Sequence, residues 1–257
     1  MKYKDITILA VILLSVISLV YISKRWPVPK RLYKKSIVYK PVHNKKHIKK
    51  YAIHGIDVSH HQGKISWDKL KHINPYQKID FVYIRATNGR VKDRKFDRNW
   101  KLATKNNFTI GAYHYYSPNI NSNVQAKNFI NTVSLSEGNL PPVIDIEKIP
   151  HLQSRKNWRK GIINFISILE KHYHIKPIIY SGDSFYASYL ATDSYFKNYT
   201  TVWIANYNNV LKPKSNWHFW QVSESEKVQG IRGFIDYNIF YGTKDEFDQL
   251  KIKKKVN

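Results

Sequence analysis

Beyond about Ala52, short apolar runs alternate with segments whose apolar residues recur at helical spacing. The pattern predicts strands at His54–Val58, Phe81–Ala86, Thr109–Tyr115 and Pro177–Ser181. Helices are predicted over Trp67–Ile73, Asp97–Asn107, Val124–Val133 and Asn157–His172. Within this alternation lies Leu140-Pro-Pro-Val-Ile-Asp145-Ile-Glu147, whose β-branched residues read as a buried strand entered through Pro141 and Pro142. After a short helix near Ser184–Leu190 the pattern changes. Thr201–Ala205, His218–Val222 and Phe234–Phe240 read as strands joined by loops. Strand–helix alternation implies parallel pairing, and eight strands in this length predict a closed α/β barrel, TIM-like but irregular in its last third.

The N-terminal part has a different pattern. Ile6–Ile22 carries no charge and would rise about 26 Å as a helix, near the lower limit for spanning a bilayer. It lacks a convincing small-residue cleavage site, so an uncleaved signal anchor is the expectation, with secretion after cleavage as the alternative. Lys2 and Lys4 favour a cytoplasmic N-terminus, whereas Lys24, Arg25, Lys30 and Arg31 pull the other way. From Ser23 to Tyr51 the chain is rich in Lys, Pro and Tyr without any period, as in an extended, self-repelling tether.

Charge sharpens this division. The formal net charge is +25, and the first 51 residues hold 13 Lys and Arg against the single acid Asp5. Lys251, Lys253, Lys254 and Lys255 add a basic end. Such a surface suits an anionic polymer or membrane face. Nucleic acid is set aside, because no zinc-finger spacing or RNA-binding aromatic signature accompanies the charge. There is no cysteine, which excludes a disulfide framework and thiolate metal sites.

Candidate chemistry begins at Asp145 and Glu147. Side chains two apart on a strand share a side, roughly 6–7 Å apart at Cα. Two acids on a buried face are costly unless paired or used, and each raises the pKa of the other, which retains a proton for a general acid. In such barrels chemistry gathers at the C-terminal strand ends. Those ends add Asp57, Tyr115, Tyr180, Trp203, Trp220 and Asp236, so four carboxyl groups and a set of aromatic rings converge on one rim. Carboxyl pairs cleave glycosidic bonds, and flat aromatic faces stack on sugars. Taken singly, Asp57 or Asp236 could hold a turn and the aromatic residues could be packing. His60 and His61 read as loop hydrogen-bonding residues, with no third ligand at metal spacing.

At these residues the chain resembles glycoside hydrolase family 25, the Chalaropsis-type lysozymes (N-acetylmuramidases), over about Ala52 to Tyr241. The resemblance rests on Gly55-Ile-Asp57-Val-Ser59-His60-His61-Gln62-Gly63, Phe81-Val-Tyr-Ile-Arg-Ala-Thr-Asn-Gly89, Gly111-Ala-Tyr-His-Tyr-Tyr116 and Val143-Ile-Asp145-Ile-Glu147. Lys176-Pro-Ile-Ile-Tyr-Ser181, Val202-Trp-Ile-Ala-Asn-Tyr207, Phe219-Trp-Gln221 and Ile235-Asp236-Tyr-Asn238 follow in the same order. It implies a (β/α)5(β)3 barrel that cleaves the β-1,4 bond between N-acetylmuramic acid and N-acetylglucosamine of peptidoglycan. Glu147 would be the general acid. Asp145 would either attack directly or orient the sugar's N-acetyl group, with Asp57 and Asp236 tuning the pair. Tyr115, Tyr180, Trp203, Trp220 and Asn88 would contact substrate, without metal or cofactor. The family usually carries Glu at Asn88 and Lys at Arg85, so substrate contact there is expected to differ.

The expected organisation is an anchor over residues 1–23, a basic linker over 24–51, a catalytic barrel over 52–245 and a basic tail over 246–257. The chain would be a monomer, held in the cell membrane by a single pass with the barrel outside the cytoplasm. A wall-binding scaffold without catalysis and a chitinase-like hydrolase are the alternatives.

Overall fold

The computed structural model describes residues 48, 50–208 and 217–254. The expected membrane segment Ile6–Ile22 and nearly all of the linker lie outside these residues. Among the described residues no helix is long and apolar enough to cross a membrane.

Eight strands close into a barrel: β1 (Ile53–Val58), β2 (Phe81–Asn88), β3 (Thr109–Tyr115), β4 (Val143–Asp145), β5 (Ile178–Gly182), β6 (Val202–Ala205), β7 (Phe219–Glu226) and β8 (Ile235–Phe240). Strands β1 to β7 follow one another in parallel, with β1 beside β2. Strand β8 runs antiparallel to both β7 and β1 and closes the ring. Helices α1 (Phe96–Lys105), α2 (Ser122–Thr132) and α3 (Arg155–Tyr173) supply the crossovers from β2 to β5. Helix α3 buries Trp158, Ile162, Phe165, Ile166 and Leu169, one stripe at helical spacing. Its start is fixed by Ser154, whose side chain accepts from the Asn157 N–H, and it ends at His174 in the left-handed region (φ 56°).

The expected helix over Trp67–Ile73 is absent. A turn joins Ser66 to Leu70, and His72–Asn74 then pairs with Gln77–Lys78 in a small hairpin. Pro75 disfavours helical backbone at the residue before it, and the Asn74 side chain accepts from the Tyr76 N–H to form the turn instead.

Alternation along the strands separates two cores. Ile53, Phe81, Tyr83, Val143, Ile178, Trp203, Phe219 and Phe240 fill the barrel interior, whereas Ile56, Val82, Ile84, Ile144, Ile179 and Ile204 face the outer layer. Space for the interior rings comes from missing side chains. A Cβ on Gly55 would lie 2.5 Å from the Phe81 ring, and one on Gly111 would strike Tyr83. Ordered structure continues past residue 245. Helix α4 (Lys244–Leu250) opens with a Thr243–Glu246 capping box and inserts Phe247 among the interior rings, and Ile252 exchanges backbone hydrogen bonds with the Gly138–Asn139 turn. The C-terminal stretch is therefore part of the barrel floor up to Ile252 rather than a free basic tail from residue 246.

Candidate active site

The aromatic filling stops short of the upper rim, where polar side chains take over the inward positions. There Asp57, Arg85, Tyr113, Tyr115, Asp145, Glu147, Tyr180, Trp203, Tyr207, Gln221, Glu224 and Asp236 line a cavity of about 300 Å³. Parity explains the arrangement. Val143 points inward, Ile144 outward and Asp145 inward again, and the extended backbone continues when the Ile146 N–H donates to the Tyr180 carbonyl. Buried Ile146 faces the outer layer, which returns Glu147 to the cavity mouth. Asp236 arrives differently. It stands near the start of β8, and the reversed direction of that strand brings its first residues to the rim where the parallel strands end.

Asp57 is the best-anchored acid. Its Oδ2 accepts from Gln221 Nε2 and from Asn238 Nδ2, both at 2.8 Å. Each amide is oriented in turn. Tyr180 and Tyr207 hydroxyls donate to Gln221 Oε1 at 2.8 and 2.7 Å, and Trp203 Nε1 donates to Asn238 Oδ1 at 2.9 Å. Burial, opposed by these amide donors, still moves the Asp57 pKa up to about 6. Asp236 is pushed up to about 9 by burial and then by Asp57 and Glu224, so near neutral pH it is a proton donor toward Asp57.

Asp145 is 6% exposed, and its Oδ1 has no hydrogen-bond partner among the described residues. Burial, then Glu147 and Asp57, raise its pKa well above the usual carboxylate range. Glu147 is also raised, chiefly by loss of solvent, although the Tyr115 hydroxyl donates to it and Lys148 lies nearby. The cavity thus holds five carboxyl groups with Arg85 as its guanidinium, and every one of the four acids named from sequence is harder to ionise than in water. Such an arrangement favours the protonated carboxyl form that general acid catalysis draws on.

Seven of the nine residues expected at the site line this cavity, and two do not. Trp220 is fully buried in the outer layer, its Nε1 donating to the Asn206 carbonyl at 2.7 Å, because its strand neighbours Phe219 and Gln221 hold the inward positions. Asn88 is exposed at the end of β2, where Ser117 Oγ donates to its Oδ1, and it lines a neighbouring groove instead. Of the aromatic residues that do line the cavity, Trp203 is only 2% exposed and packs against Tyr83 and Tyr180, so it is floor rather than platform. His60 binds Asp93 through its backbone N–H and ring, as a loop-fixing residue does. Among the described residues no cluster of three or more His, Cys, Asp or Glu is placed to hold a metal ion.

Sequence reading missed Tyr113 and Glu224 as lining residues. The β7–β8 register shifts between Gln221 and Ser223 and again between Ser223 and Glu226, and this irregular stretch carries Glu224 at the rim. No local motif announces such a bulge.

Residues 56–231 match the model of glycosyl hydrolases family 25. The uncharacterized protein YegX of Escherichia coli K12 is 41% identical over 201 residues, covering 76% of this chain and 72% of YegX. Lysozyme M1 of Streptomyces globisporus is 30% identical over 206 residues, covering 75% and 69%. Among solved structures, a family 25 glycosyl hydrolase from Bacillus anthracis superposes with a TM-score of 0.69 at 33% identity, covering 79% of this chain and 94% of that one. A bacterial lysozyme from Streptomyces coelicolor gives a TM-score of 0.69 at 29% identity, covering 78% and 97%. The carboxyl-lined barrel rim and these matches together establish that the chain belongs to glycoside hydrolase family 25 and is a glycosidase.

Proposed function

We propose that this glycosidase is a muramidase, cutting the β-1,4 bond between N-acetylmuramic acid and N-acetylglucosamine in peptidoglycan. The observation that carries the proposal is Asp145, a buried carboxyl in a sugar-sized cavity with Oδ1 left without a donor. An acetamido N–H on the substrate is a fitting partner. A carboxyl of raised pKa is a stronger base, so it holds that N–H more tightly as positive charge develops on the amide.

In the proposed sequence Glu147, protonated, gives its proton to the glycosidic oxygen as the C–O bond breaks. The acetamido oxygen, oriented by Asp145, bonds to the anomeric carbon to form a cyclic oxazolinium. Water then opens this ring, losing a proton to the Glu147 carboxylate and restoring the acid. The variant route has Asp145 attack the anomeric carbon itself. Asp57 and Asp236 act as a pair of hard-to-ionise acids that sets the charge beneath the sugar, and Tyr115 offers a partly buried ring. The similarity to Lysozyme M1 and to the Streptomyces coelicolor lysozyme supports the same substrate.

The uncharged run Ile6–Ile22 and the basic linker support a membrane-anchored barrel outside the cytoplasm, where the wall polymer lies. Mass spectrometry of fragments released from purified peptidoglycan tests the activity. Reducing-end N-acetylmuramic acid is expected. Reducing-end N-acetylglucosamine would assign the other glycosidic bond and overturn the proposal.

A further inference from the structure

A second groove, of about 460 Å³, opens beside the cleft under the hairpin at the end of β2. Arg85 lines both cavities, and the ring of His60 in the groove lies tilted against that of His61 in the cleft, centroids 4.2 Å apart. The hairpin is tight: Asn88 pairs with Val91 around Gly89 (φ 55°) and Arg90. It therefore holds Arg90 and Lys92 over the groove, with exposed Arg94 on the same wall.

The balance of charge in the groove is one-sided. Its carboxylate, Asp93, has a side chain only 1% exposed and is already engaged by Arg85 Nε at 3.0 Å and by the backbone N–H groups of His60 and Lys95. Lys92 is paired with Asp97 at 2.7 Å. Among the described residues neither Arg90 nor Arg94 has a carboxylate in salt-bridge reach. Asn88 adds a donor, since Ser117 occupies its amide oxygen and leaves the NH2 group. Two free guanidinium forks and an amide beside a sugar cleft match a planar anion.

We infer that this groove receives a carboxylate of the peptide stem carried by the glycan in the cleft, held by Arg90 and Arg94. The inference rests on the muramidase proposal. In peptidoglycan the stem hangs from the lactyl group of muramic acid, so each sugar of that kind brings free carboxylates a few ångströms to the side of the chain. A groove sharing a wall with the cleft lies within that reach. Wall phosphate polymers present similar anions, but they attach at sparse positions and not beside every cleavable bond.

Equilibrium binding separates the two proposals, because it does not depend on turnover. Calorimetry would compare a soluble muropeptide bearing free stem carboxylates with the same compound amidated, against the full chain and its Arg90→Ala/Arg94→Ala variant. The wild type should bind the free-acid form roughly three- to tenfold more tightly, and the variant should lose that preference while binding the amidated form unchanged. Equal binding of both forms by the wild type, or a preference that survives in a variant with an unchanged melting curve, would overturn the inference. So would stronger competition by a polyglycerol phosphate than by the free-acid muropeptide. Charge-selective binding without glycan cleavage would instead sink the muramidase assignment and leave the groove standing.

Discussion

Asp57 and Asp236 sit opposite one another in the antiparallel register of β1 and β8, and burial raises both carboxyls, Asp57 to about 6 and Asp236 to about 9. Asp57 takes two amide hydrogen bonds on Oδ2, whereas Asp236 is held neutral to about pH 9. The asymmetry arises because the donors reach only one of two buried acids.

Stability should carry the mark of this pair. An acid whose folded pKa is raised stabilises the fold fully below its unfolded value and loses that contribution as pH rises through the folded value. For Asp236 the window runs from about 4 to about 9, and for Asp57 from about 4 to about 6. Asp236→Asn, which imitates the neutral acid, should melt at least about 2 °C higher than wild type at pH 8 and show no such gain at pH 4. Melting curves at both pH values decide it. An equal difference at the two would mean that the acid is not buried neutral.

Glu147→Gln should keep the fold and wall binding but lose about 10²–10⁴-fold in lytic rate, since an amide has no proton to give. Turbidity clearing and wall pull-down on the same preparation measure both properties. A variant clearing wall within a few-fold of wild type would remove Glu147 from the acid role.

Asp145→Asn should be comparably impaired. The two routes diverge with a substrate whose acetamido oxygen is replaced by sulfur. Accumulation of a thiazoline product supports assistance by the substrate. A glycosyl adduct on Asp145 in the wild type, seen by intact-mass measurement, supports direct attack.

Asn88→Glu tests the place of that residue outside the cleft. An acid there should leave the pH profile of glycan cleavage unchanged, yet weaken binding of free-acid muropeptide through repulsion at the groove lip. A shifted profile with unaltered binding would return residue 88 to the catalytic cavity.

The anchor is tested by extraction. Full-length chain in membrane fractions should resist high salt and be released by detergent, because salt screens surface charge but leaves an apolar span in place. Release by salt would make the basic segment the attachment. A mature N-terminus beyond Tyr21 would make Ile6–Ile22 a removed signal.

The chain's linear pattern was enough to predict the barrel and to place four acids at its rim. Short apolar runs, crossover helices and Asp-Ile-Glu at a strand end are local signals, and strand-end position follows from local extent alone. Inward or outward facing is another matter. Both faces of a barrel strand are buried, so Trp203 and Trp220 sit in equally apolar runs, and only register makes the first interior and the second part of the outer layer. Trp67–Ile73 failed for a related reason: three apolar residues at helical spacing bury as well in a turn and hairpin as in a helix.

The hydrogen bonds around Asp57 join β1 to Gln221 on β7 and Asn238 on β8, with Tyr180 on β5, Trp203 on β6 and Tyr207 behind them, residues far apart in the chain. Sequence determined which chemical groups were available and at which end of each strand. Closure of the barrel decided how hard each acid is to ionise, because pKa values depend on burial and on neighbours a few ångströms away, and neither quantity exists before the ring is closed.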